Sequence, residues 1–277
     1  MMPAPPPPKT LASRCRLDLA CGLALLTRLP AAWLAPLAFR TGAAPWPMAR
    51  SIWCWPLVAA GVGAGSGCIL ALLRTAHVPA LAAAGLALAC QTALTGALHE
   101  DGLADMADSF GAATPERKLA IMRDSHVGSY GVIALSLSLL VRAAALAALP
   151  VHSAIMACAI TACLARMAML LLPASIPPAR PDGLARMLYP IPRGSLGGAV
   201  ICALAVVLGL PFAGHTGALP LWPYFAYTVA PIGIGCATAW LVALWAKRIL
   251  GGFTGDVLGG CAVLVECLLL SFYAALA

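Results

Sequence analysis

Seven stretches of the chain, near 51–73, 78–98, 131–150, 153–173, 196–213, 222–246 and 256–277, are apolar over about twenty residues each. A helix rises 1.5 Å per residue, so about twenty residues cross the ~30 Å of hydrocarbon in a bilayer. In lipid every backbone N–H and C=O must be satisfied within the segment, which leaves helices for runs of this kind. The expected fold class is therefore all-α: a polytopic integral membrane helical bundle of about seven transmembrane helices. An N-terminal apolar segment, 17–40, is broken by Arg28, Pro30 and Pro36 and reads as a short or re-entrant helix. Residues 1–16 read as a Pro-rich N-terminal tail, and 17–277 as a single transmembrane catalytic domain.

Composition supports this reading. Of 277 residues 62% are hydrophobic and 10% charged, against about 25% charged in a soluble domain. Such a chain cannot clothe a globular surface, which excludes a cytosolic enzyme and a disordered tail. The net charge of +7 would suggest nucleic acid in a soluble protein, but here Lys and Arg mark the cytoplasmic loops, and no nucleic-acid partner is called for. Arg117, Lys118 and Arg123, then Arg180, Arg186 and Arg193, then Lys247 and Arg248 fall in alternate loops, whereas the opposite loops carry Arg74 alone. Loops 99–130, 174–195 and 247–255 are thereby expected on the cytoplasmic face of a bacterial inner membrane. The eleven cysteines contain no CxxC pair, and Cys68, Cys90, Cys158, Cys202 and Cys236 sit inside apolar runs as small hydrophobes.

Six of the ten acidic residues lie between positions 100 and 124. If the preceding helix continues, Asp101, Asp105 and Asp108 stand at i, i+4 and i+7 on one face. Carboxylates stacked this way repel, and no base intervenes between Asp101 and Asp108. A divalent cation is the natural counter-charge. Mg²⁺ takes oxygen ligands and binds through a few carboxylates plus substrate phosphates, which suits phosphoryl transfer on an organic diphosphate. In the same loop, Asp124 is a further candidate ligand, and Arg123 with the Gly128 and Gly131 backbone could hold phosphate oxygens. Helix capping is the competing reading of that segment. It also competes at Gly251–Gly260, where Asp256 stands at a helix start on the same expected face. Arg142 and Arg166 would be costly facing lipid, so they are expected to point inward and pair with a carboxylate such as Glu266 or with substrate phosphate.

The stretch His99–Gly131, HEDGLADMADSFGAATPERKLAIMRDSHVGSYG, resembles the signature of the cobalamin synthase (adenosylcobinamide-GDP ribazoletransferase) family, E-D-G-L-A-D-x-x-D followed by I-M-K/R-D-S-x-x-G-x-x-G. Leu26–Pro30 and Gly252–Gly259 agree in the expected order, while Ser109 replaces an expected Gly and His126 a basic or aliphatic residue. The resemblance implies a Mg²⁺-dependent transferase joining adenosylcobinamide-GDP to α-ribazole or its 5′-phosphate, with release of GMP, late in cobalamin biosynthesis. It implies metal on Asp101, Asp105, Asp108 and Asp124; charge and placement point to Glu100 as a general base or a group behind the ligands. Arg123, Ser125, Gly128, Arg166, Lys247 and Asp256 make up the expected substrate and phosphate contacts. The bilayer and the two small molecules are the expected partners, and a homo-oligomer is one assembly the composition allows. A CDP-alcohol-type lipid phosphotransferase would need D-G-x-x-A-R, and no Arg stands at that place after Asp101-Gly102. A transporter would place its acids near the bilayer midplane rather than cluster them in one loop.

Overall fold

The computed structural model describes residues 10–35, 47–213 and 221–277. Among the described residues the chain is helical, with no strand beyond an isolated parallel bridge between Pro178 and Phe253. The N-terminal helix α1 (Leu11–Leu26) opens on a capping box, in which Thr10 and Ser13 satisfy each other's backbone N–H. It takes in six residues of the expected tail; the Pro-rich stretch itself lies outside the described residues, as do 36–40 of the expected re-entrant segment.

The apolar runs form α2 (Trp55–Thr75, led in by helical turns from Met48), α3 (Ala80–Thr95), α6 (Ser129–Ala148), α7 (Val151–Ser175), α8 (Arg193–Ala213), α9 (Leu221–Leu250) and α10 (Gly255–Ala275). Among the described residues, six of these are long and apolar enough to cross a membrane, and α3 passes only together with the helix that follows it. The seven expected runs are thus six full-length spans and one shorter arm. Helix α7 is the most enclosed, with 83% of its apolar window buried, and α2, α8, α9 and α10 pack around it. Small residues set the spacing, as is usual where lipid gives no hydrophobic drive between helices: Ala154, Ala157, Ala165 and Ala168 of α7 are all buried.

The largest departure from the expected layout is at 99–130. Instead of a loop, the chain forms α4 (Leu98–Asp108), a 3₁₀ turn at Ser109–Gly111 and α5 (Pro115–Ile121). Helix α3 ends where Gly96 and Ala97 both take left-handed φ, +68° and +57°, and α4 leaves at 92° to it. The reason is amphipathic. Leu103, Met106 and Ala107 bury one side of α4, while Asp101, Asp105 and Asp108 share the other at helical spacing. We take α3 as the membrane arm and α4 as a polar arm turned out of it across the end of the bundle.

Candidate functional site

Helix α4 seats on α10 by direct backbone contact. A Cβ on Gly102 would stand 2.7 Å from the Asp256 carbonyl oxygen and 3.1 Å from Gly259 Cα. Two glycines facing one another bring Asp101 and Asp105 beside the first turn of α10. That turn is capped by Thr254, whose Oγ1 accepts from the Val257 N–H at 3.2 Å, so Asp256 is not the N-cap. The loop after α7 joins the same end through Ala179 N–H to the Phe253 carbonyl (2.8 Å) and Phe253 N–H to the Pro177 carbonyl (3.0 Å). Three loops assigned by charge to one face thus converge.

Between them lies a cleft of about 260 Å³, lined by Asp101, Arg180, Asp182, Arg186, Thr254 and Asp256 among others. Arg180 Nη2 donates to Asp256 Oδ2 at 2.8 Å, which also accepts from Thr254 Oγ1 at 3.2 Å. Arg180 Nε is buried without a partner. Asp105, one turn along from Asp101, is pushed up to about 7 by burial and then by the negative charges of Asp101, Asp256 and Asp108, which Arg180 opposes. A carboxyl this crowded with negative charge is short of a cation.

Of the residues expected from sequence, Asp101 and Asp256 line the cleft, and Asp105 stands beside it, near enough for their charges to act on it; the others are redistributed. Asp108 accepts from Gly128 N–H at 2.7 Å and Gly131 N–H at 2.9 Å, one on each oxygen. It caps α6 from twenty residues upstream, and Gly128 offers its N–H to this carboxylate rather than to phosphate. Asp124 is exposed and pairs with His126 at 2.5 Å, away from the groups acting on Asp105. The hydrogen bond to His126 holds the Asp124 carboxyl below its ordinary range, and Asp124 raises His126. Ser125 is exposed beside it, and neither lines the cleft. Arg123 is at the rim, with Nη2 2.5 Å from Asp182 Oδ1. Lys247 is exposed on the last turn of α9 and does not line the cleft.

Glu100 lies outside the cleft lining, and of its two expected partners Arg166 takes the carboxylate. Glu100 is buried on the far side of α4 and receives a hydrogen bond from Arg142. Arg166 is buried and paired with Glu266. The inward pairing expected of Arg142, Arg166 and Glu266 is what the bundle contains. Arg180, counted in the sequence only as a cytoplasmic charge, is the cation paired with Asp256 in the site; its position two residues before Asp182 in a Pro-rich loop carried no motif.

Among the described residues, no three His, Cys, Asp or Glu side chains converge closely enough to hold a metal by themselves. The donor set at Asp101 and Asp105 still fits Mg²⁺, which settles for one or two carboxylates when substrate phosphates and water complete its shell.

These features define a polytopic helical membrane protein with an acidic, arginine-bearing cleft at one end of its bundle. The chain belongs to the cobalamin-5-phosphate synthase family, whose model matches residues 18–274. It is 38% identical over 261 residues to the adenosylcobinamide-GDP ribazoletransferase of Azorhizobium caulinodans, covering 92% of this chain and 94% of that protein. The proteins of the same name from Rhizobium etli CFN 42 (36% over 256 residues, 90% and 93%) and Allorhizobium ampelinum (37% over 254 residues, 90% and 93%) are similar at comparable coverage. No solved structure matches the chain.

Proposed function

We propose that the protein joins adenosylcobinamide-GDP to α-ribazole or α-ribazole 5′-phosphate, releasing GMP, at the cytoplasmic face of a bacterial inner membrane. The observation that carries this reading is the meeting of Asp101 and Asp256 with Arg180 in one cleft, with Asp105 close beside them, in a chain of this family.

Asp101 and Asp105 would hold Mg²⁺ together with oxygens of the GDP-linked diphosphate. Bound there, the ion supplies charge neutralisation at the phosphate that leaves as GMP. Arg180, which lines the cleft, binds a non-bridging phosphate oxygen through its guanidinium while Asp256 keeps that group in place. The acceptor oxygen of the ribazole attacks the phosphorus that bears the cobinamide side chain; the new P–O bond forms as the bond to the GMP oxygen breaks. Arg123 and Asp182 tie the segment after α5 to the loop carrying Arg180. A cleft of about 260 Å³ is at the small end of ligand sites. It takes a diphosphate and part of a nucleoside, and the corrin ring rests outside it.

The test is GMP release by the full chain in detergent, given adenosylcobinamide-GDP, α-ribazole 5′-phosphate and Mg²⁺, with the corrinoid product identified by mass. Metal-dependent formation of the joined corrinoid is expected. Folded protein that makes no such product, and instead uses a CDP-linked donor, would overturn the reading.

A further inference from the structure

Behind the cleft, four charged side chains are enclosed among α4, α6, α7 and α10, and His99, which also lines the cleft, closes the cluster on that side. Arg142 is fully buried; its Nη1 donates to Glu100 Oε1 at 2.9 Å and to Glu266 Oε2 at 3.0 Å. Arg166 donates through Nη1 to Glu266 Oε1, and its Nη2 lies 3.3 Å from His99 Nδ1. A guanidinium has no acceptor, so Nδ1 must be the accepting nitrogen and His99 is neutral, with its proton on Nε2. Two positive and two negative charges cancel. Gln91 Nε2 adds a contact from α3 to Glu266 at 3.5 Å.

Stability alone does not account for this cluster. Each buried ion loses several kcal/mol of solvation, and apolar residues of similar volume commonly hold a core as well or better. The cluster even leaves Arg142 Nη2 and Arg166 Nε without partners. What it does have is directionality. Glu100 immediately precedes Asp101 and, 100° round the same eleven-residue helix, turns into the buried cluster, while His99 joins that cluster from the cleft wall. Leu103, Met106 and the Gly102–Gly259 contact hold α4 against α10, but apolar contacts resist rotation about the helix axis weakly. A 20° rotation at a side-chain radius of about 5–6 Å moves a carboxylate by roughly 2 Å, enough to take a ligand off a metal.

We propose that Glu100, Arg142, Glu266, Arg166 and His99 form a positioning network that fixes the rotation of α4 and so sets Asp101 in the cleft with Asp105 beside it. Glu100 in this role acts through Arg142 and never touches substrate. The inference rests on the proposed metal-dependent transfer, and its test uses a readout that does not need turnover.

Glu100→Gln, Arg142→Gln and the double variant of the full chain are compared in detergent by Mn²⁺ affinity (electron paramagnetic resonance), pH–rate profile and thermal unfolding. Each single change is expected to weaken Mn²⁺ binding and lower kcat/KM by about 10- to 100-fold. The pH profile keeps its shape, the double variant is no worse than the more damaging single one, and Arg142→Lys recovers part of the loss. His99→Ala leaves all four charges in place and weakens Mn²⁺ several-fold, which covers the case of an Arg142 variant that does not fold. Unchanged Mn²⁺ affinity in Glu100→Gln, with the lower limb of the pH profile lost, would make Glu100 a base and overturn the proposal. A fall in unfolding temperature with unaltered affinity would overturn it as well. A parent chain that binds Mn²⁺ but makes no corrinoid instead removes the functional reading while the affinity shifts still decide the positioning role.

Discussion

Replacing Gly102 by Ala tests whether the apposition of α4 and α10 builds the site. The new methyl would stand 2.7 Å from the Asp256 carbonyl oxygen, 3.1 Å from Asp256 Cα and 3.1 Å from Gly259 Cα. All three neighbours are backbone, so no side chain can swing aside. Ordinary contact begins near 3.4 Å, so the two helices must part by about 0.7 Å, and they carry Asp101 and Asp105 on one side and Asp256 on the other. Overpacking of this size costs roughly 1–3 kcal/mol of stability. A displacement near 1 Å costs a positioned reaction up to ~100-fold, so kcat/KM for GMP release should fall by about 10- to 100-fold. The assay pairs that rate with thermal unfolding in detergent, and Gly65→Ala, where a methyl meets nothing within 4 Å, serves as control. Full activity in Gly102→Ala, with Mg²⁺ dependence unchanged, would refute the claim that this contact sets the site.

Other outcomes follow from the same geometry. Gly67→Ala places a methyl 2.6 Å from Ile155 Cα at the α2–α7 contact, so its unfolding temperature should drop, whereas Gly61→Ala, open on its side, should hold or gain up to ~1 kcal/mol through helix propensity. Asp105, raised to about 7, must lose its proton to bind metal; Mg²⁺ affinity should therefore fall as pH drops from 8 to 6, and binding should release protons, measurable by calorimetry in two buffers. For the metal-free protein the sign is reversed: the folded state holds a proton that the unfolded chain gives up near 3.9. Stability thus declines as pH rises from about 4 to 7, and Asp105→Asn flattens that slope. Arg180→Gln removes the guanidinium held by Asp256, leaving Arg186 in the cleft, and should raise KM for the diphosphate substrate by about 10- to 100-fold; an unaltered KM would place phosphate binding elsewhere.

The spans were legible because lipid imposes a length and a polarity that no local signal overrides: the run at 153–173 became Val151–Ser175 with ends moved by two residues. The acid-rich stretch misled because its charge suggested solvent. Leu103, Met106 and Ala107 between the acids were the helical signal, but they outline a face only once the chain turns at Gly96 and Ala97. Asp101 and Asp105 could be found from spacing. Asp108 could not be separated from them, since its partners Gly128 and Gly131 are twenty residues away and meet it through folding. Glu100 and Asp101 are neighbours in sequence and point to opposite environments for the plainest helical reason, 100° of rotation per residue. Arg180 stood in a loop whose approach to α10 depends on backbone pairing of Pro177 and Ala179 with Phe253.

The central claim is that transfer occurs at Asp101 and Asp105, with Asp124 outside the site. Steady-state GMP release by Asp105→Asn and by Asp124→Asn, side by side at saturating Mg²⁺, measures it most directly. A loss of about 100-fold or more is expected for Asp105→Asn and no more than a few-fold for Asp124→Asn. An Asp105→Asn protein that turns over normally, beside an Asp124→Asn protein that does not, would contradict it.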